Sequence, residues 1–127
     1  MADKLTARQQ AQLAVLRSFP RLLEQMHRLI EEVAGLRADD SVVRRLCRVL
    51  DAAKVEANGV GLNSLSDTMG NMSTMARRGG GMQMKIRGLR EGLQSLRINF
   101  EGALRDASRP EKEKEGEGAV EEGGSGA

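Results

Sequence analysis

Residues 76–93 read ARRGGGMQMKIRGLREGL, with two arginines and three consecutive glycines ahead of a basic segment. Backbone amides of a glycine turn that opens a helix can hold a phosphate, and Arg77 and Arg78 would supply the counter-charge. A nucleotide loop of the Walker kind also needs a lysine and a hydroxyl directly after the last glycine, on a strand-to-helix turn. Here Met82 and Gln83 follow, and a helical rather than a strand pattern precedes. A simpler reading accounts for each residue. Arg77 and Arg78 complement the negative end of a helix, and the glycines accept positive φ and reverse the chain. The segment therefore reads as a bend between two helices.

Basic residues continue past the bend. Arg77, Arg78, Lys85, Arg87, Arg90 and Arg97 face only Glu91 between residues 77 and 97. At helical spacing Arg87, Arg90 and Arg97 form a partial stripe, which phosphate contact requires. Arg77, Arg78, Arg87 and Arg90 are accordingly the candidate anion contacts. No aromatic residue is interleaved to stack on bases, and no zinc-finger or helix-turn-helix spacing is present. Nucleic acid is the alternative partner rather than the leading one.

Other reactive side chains are scarce. His27 and Cys47 are the single histidine and cysteine, too few for a four-ligand metal site. Glu31–Glu32 and Asp39–Asp40 read as solvent-facing and helix-capping acids rather than acid/base pairs. No catalytic, cofactor-binding or metal-ligating residue is assigned, and no cofactor is expected.

What would position any of these groups is a set of amphipathic helices. Val15, Phe19, Leu22, Met26, Leu29, Val33 and Leu36 recur at steps of four and three, flanked by Leu16, Leu23 and Ile30. Such a wide apolar face suits a helix touching two neighbours. Thr6 and Gln9 make a capping-box pair at its start, and Pro20 predicts a kink or break within it. A second helix begins at Asp39 or Asp40 with the inner row Val43, Leu46, Leu50, Ala53, Ala57 and Val60, and Asn58–Gly59 offers a left-handed stop. A third carries Leu62, Leu65, Met69, Met72 and Met75. The last has the cleanest row: Met82, Ile86, Leu89, Leu93, Leu96, Phe100 and Ala103. Beside it run Gly88, Gly92 and Gly102. Glycine inside a helix costs about 1 kcal/mol relative to alanine, so these three suggest an edge where a neighbouring backbone comes close.

The expected fold is all-α: an elongated three- to four-helix bundle or helical hairpin with coiled-coil-like seams. The helices fall at about 6–35, 40–58, 64–78 and 82–107, within a domain of residues 1–109. Residues 110–127 read as a disordered acidic tail, since Glu, Lys, Gly, Ser and Ala have little to bury. That tail carries net charge −4 and the rest +6, which give the chain its +2. A lone cysteine fits a reducing compartment, cytoplasm or nucleus, and no run is apolar enough for a signal or a membrane span. A membrane-surface role for 82–104 is disfavoured by the embedded glycines and the lack of tryptophan.

These features point to a non-enzymatic helical adaptor or small subunit of a larger intracellular assembly, bound to homo- or hetero-oligomeric helical protein partners. The residues expected at its interface are Leu22, Met26, Leu29, Val33, Ile86, Leu89, Leu93, Leu96 and Phe100. Five methionines, at 69, 72, 75, 82 and 84, cluster around the bend as core filling or as an adaptable docking surface. In architecture alone the chain resembles small helical-hairpin subunits of multi-protein complexes such as Mediator, kinetochore or lysosome-biogenesis assemblies, with no residue motif carried over.

Overall fold

The computed structural model of the protein describes residues 4–35 and 40–110. These form four helices: α1 (Ala7–Ala34), α2 (Asp40–Gly59), α3 (Asn63–Arg77) and α4 (Met82–Ala107), with no strand among the described residues. The expected acidic tail falls almost wholly on 111–127, outside the described residues.

Each helix packs on the next in sequence, and α4 returns onto α1, so the four close into a bundle. Long-range contacts set the directions. The start of α1 meets the end of α2 through Gln12, whose Nε2 donates to the Val60 carbonyl at 3.0 Å. It also meets the end of α4 through Gln9, whose Nε2 donates to the Asp106 carbonyl at 3.3 Å. Asn99 of α4 donates to Thr68 of α3 at 3.1 Å. Neighbouring helices therefore run antiparallel, the arrangement that short connections favour.

Thr6 caps α1 as the capping-box reading expects: its Oγ1 accepts from the Gln9 amide, and Gln9 Oε1 accepts from the Thr6 amide, both at 3.0 Å. Of the kink or break expected at Pro20, the break does not occur: α1 is one helix through that position. Pro20 is exposed, while Leu16 and Phe19 just before it and Leu23 and Met26 after it are buried. Packing on both sides of the proline holds the helix together despite the missing amide donor.

The buried face of α1 is centred one position from the expected row. Leu16, Phe19, Met26, Ile30 and Val33 lie deepest, Leu23 and Leu29 are buried beside them, and Val15 and Leu22 are only half-buried. A face that wide has two edges, and contact with both α2 and α4 turns the Leu16–Leu23–Ile30 row inward. On α2 the inner row likewise gains Val42 and Cys47 beside Leu46, Leu50, Ala53 and Ala57. The left-handed residue after α2 is Gly61, at φ +79°, rather than Gly59, and the Leu62 amide reaches back to the Ala57 carbonyl at 2.9 Å.

Leu46, Leu50, Leu65, Met69, Met72, Leu89 and Leu96 join the α1 row in one continuous core, each at most 1% exposed. Each such side chain contributes roughly 1.5–3 kcal/mol by leaving water, so this layer fixes the helix pairing. Phe19 of α1 stacks on Phe100 of α4 with ring centroids 5.4 Å apart and planes 10° from parallel.

Candidate functional site

The nine apolar residues expected to meet a partner lie in the chain's own core or against it. Met26, Leu29, Val33, Leu89, Leu93 and Leu96 are buried, and Leu22, Ile86 and Phe100 are half-buried against the same cluster. This corrects their expected place: the four-helix closure turns these nine toward the chain's own core, leaving the outer surface for any partner.

The glycine row of α4 divides. At Gly92 an added Cβ would sit 2.6 Å from Met72 Cγ, and at Gly88 it would collide with Met75 Sδ. What approaches α4 at these two positions is therefore a pair of methionine side chains from α3, rather than the backbone that had been expected. Gly102 lies outside this contact; nothing stands within 4 Å of a Cβ built there.

Two of the four candidate anion contacts are committed to carboxylates of the bundle. Arg90 of α4 donates to Glu31 of α1 through Nε at 2.9 Å and Nη2 at 2.7 Å. These hydrogen bonds, opposed by slight desolvation and aided by the charges of Arg90 and His27, hold the Glu31 carboxyl below its ordinary value. Arg77 of α3 donates to Asp51 of α2 through Nη2, and through Nη1 to Ser73 Oγ at 2.7 Å. Ser73 in turn donates to Asp51 Oδ1 at 2.7 Å. Burial pushes the Asp51 carboxyl up, but the bonds from Arg77 and Ser73 and the charges of Arg77 and Lys54 outweigh it and hold the carboxyl low. Arg87 forms only an exposed pair with Glu91 at 3.4 Å along the same helix. Arg78 is exposed at the end of α3.

Glu32 is likewise an ion-pair partner, accepting from Arg45 at 2.9 Å, and Asp40 stands in the first turn of α2. Cys47 is buried and turned toward α3, its Sγ 4.0 Å from the Ser73 carbonyl, whereas His27 lies on the exposed side of α1. Among the described residues no three His, Cys, Asp or Glu side chains cluster in a way that would hold a metal ion, and no helix is long and apolar enough to cross a membrane.

The RRGGG segment reverses the chain between α3 and α4. Arg78 is extended, Gly80 takes φ +121°, and Gly81 precedes the first turn of α4. Only Gly80 needs glycine for its conformation, and no Cβ built at Gly79, Gly80 or Gly81 would meet a neighbour. Just beyond the turn Met82 is 46% and Met84 80% exposed, so the methionine cluster splits into core members (69 and 72), a half-buried one (75) and exposed ones (82 and 84). The turn is flanked by a cleft of about 600 Å³ on its α3–α4 side.

Sequence reasoning did not identify Gln9, Gln12, Glu31, Asp51 and Ser73 as partners across helices. Only Gln9 carried a signal, its place in the capping box; the others look like ordinary polar residues of amphipathic helices. Fold and surface together define a class, a closed antiparallel four-helix bundle tied across its helices by three arginine–carboxylate clamps, Arg45–Glu32, Arg77–Asp51 and Arg90–Glu31. Comparison with protein-family models, curated proteins and solved structures found no match.

Proposed function

We propose that the protein is a non-enzymatic helical adaptor, a small subunit of a larger intracellular protein assembly that binds partners through helix packing on its outer surface. The observation that carries this reading is the exposure of Met82 and Met84 at the corner of a bundle in which Met26, Met69 and Met72 are buried. Flexible, polarizable side chains held on a clamped scaffold make a contact surface that adapts to the shape of its partner. The buried free thiol of Cys47 agrees with an intracellular setting, cytoplasm or nucleus.

Direct nucleic-acid binding is the weaker reading, because Arg77 and Arg90 already neutralise Asp51 and Glu31. Affinity purification of the full chain from its native cell, with and without nuclease, separates the two. A defined set of proteins unaffected by nuclease is expected; recovery that disappears with nuclease would overturn the adaptor role.

A further inference from the structure

The cleft beside the α3–α4 turn has a make-up that selects one kind of occupant. Its apolar lining is Met75, Met84 and the bare backbone at Gly88, and its charged lining is Arg78, Lys85 and Arg87 against the one carboxylate of Glu91. The Arg87–Glu91 pair is 81% and 70% exposed, a contact that solvent screens and a better-placed acid can replace. We propose that this cleft docks a short acidic amphipathic helix of another protein. The apolar row of that helix would lie on Met75, Met84 and Gly88, with its carboxylates toward Arg78, Lys85 and Arg87. The inference rests on the adaptor reading and names the chemistry of the partner.

Three features carry it. Gly88 lets Met75 lie directly against the α4 backbone, in the place any Cβ would take, so the floor is thioether and backbone. Met84, 80% exposed at the mouth, loses water-facing apolar surface only when something apolar covers it. The excess of cations favours an acidic segment and rejects a basic one, which sets specificity more than affinity. A nucleic acid would gain the cations but nothing from the floor, which offers no aromatic ring to stack on a base. The chain's own acidic segment starts after Pro110, beyond the far end of α4, about 28 Å along that helix from Gly88. It is the competing occupant.

The test uses the full chain with methyl-labelled methionine, titrated with three synthetic 18-residue peptides. One carries leucine at helical i, i+3, i+4 and i+7 spacing among glutamates. The second replaces glutamate with lysine, and the third keeps the acidic composition but scrambles the leucine spacing. The acidic amphipathic peptide is expected to shift the Met75 and Met84 methyls and leave Met26 in place, with binding weakened at least tenfold in Lys85→Glu/Arg87→Glu. Equal binding of the lysine or scrambled peptide, or unchanged binding by the double variant, overturns the proposal. So does a Met84 methyl that shifts when residues 111–127 are deleted without any peptide, which would assign the cleft to the chain's own tail. Recovery of native partners unchanged in the double variant removes this site while leaving the adaptor role standing.

Discussion

Gln9 joins the first turn of α1 to the last turn of α4. Its backbone amide and Oε1 complete the capping box with Thr6, while its Nε2 donates to the carbonyls of Asp106, at 3.3 Å, and Arg109. One side chain, 1% exposed, thus serves an orphan amide at one helix start and two carbonyls at another helix end. Gln9→Leu keeps the volume and leaves all three groups without that partner. A loss of about 2–3 kcal/mol is expected, against about 1 kcal/mol for Thr6→Ala, which removes only the local cap. Urea unfolding measures both, and equal losses would mean the tie to α4 contributes nothing.

The three glycines of α4 should respond differently to alanine. At Gly102 the new methyl enters open space, so helix propensity alone acts and stability rises by up to about 1 kcal/mol, or several degrees in Tm. At Gly88 the methyl meets the far end of a half-buried, flexible Met75, which can turn aside, and the change is close to neutral. At Gly92 it meets the middle of Met72, which is 1% exposed and has nowhere to go, so the protein loses stability, and more so for Gly92→Leu. Thermal melts of the three alanine variants should rank 102 above 88 above 92. A rise in Tm for Gly92→Leu would refute the close contact.

This division shows where the sequence was legible. The apolar periods at steps of three and four gave four helices, because such a pattern has one low-energy solution once water is excluded. The capping box at Thr6 and Gln9 and the reversal at Gly79–Gly81 are local chemistry, written within a few residues. What the pattern withheld is lateral. Whether Leu22 or Leu23 faces the centre depends on which neighbours flank α1, and whether Met26 or Leu93 meets a partner or the chain itself depends on how many helices close the ring. Arg90 reads as a free cation until Glu31, 59 positions earlier, is found beside it.

Acid should reveal the two clamps whose carboxyls are held low, Glu31 with Arg90 and Asp51 with Arg77. Both carboxyls are depressed on folding, so the stability they add is present above the ordinary carboxylate range, about pH 4, and is lost as pH falls through their lower folded-state values. At neutral pH, Glu31→Gln and Asp51→Asn should each unfold at lower urea than the parent, with a modest difference because the pairs are largely solvated. As pH falls below that range the difference should shrink, since the parent's carboxyls are then being neutralised too. A gap that stays constant between pH 7 and pH 3 would show that the substitutions act through packing rather than charge.

Phe19 and Phe100 are the only aromatic residues of the chain, and they touch. Phe19 is fully buried, whereas Phe100 lies half-buried at the rim of the core on α4. Truncating Phe19 to alanine should therefore cost about 3–5 kcal/mol, in the range of a fully enclosed ring, and Phe100→Ala should cost less because part of its surface already meets water. The stack itself adds a separable amount. Near-parallel rings 5.4 Å apart fit an offset stack, which contributes about 0.5–1.5 kcal/mol beyond area. A double-mutant cycle built on Phe19→Leu and Phe100→Leu, which keep most of the apolar volume, isolates it by equilibrium unfolding. Coupling in that range is expected; strictly additive losses would leave the α1–α4 seam held by the leucine rows, the Gln9 tie and the Glu31–Arg90 clamp.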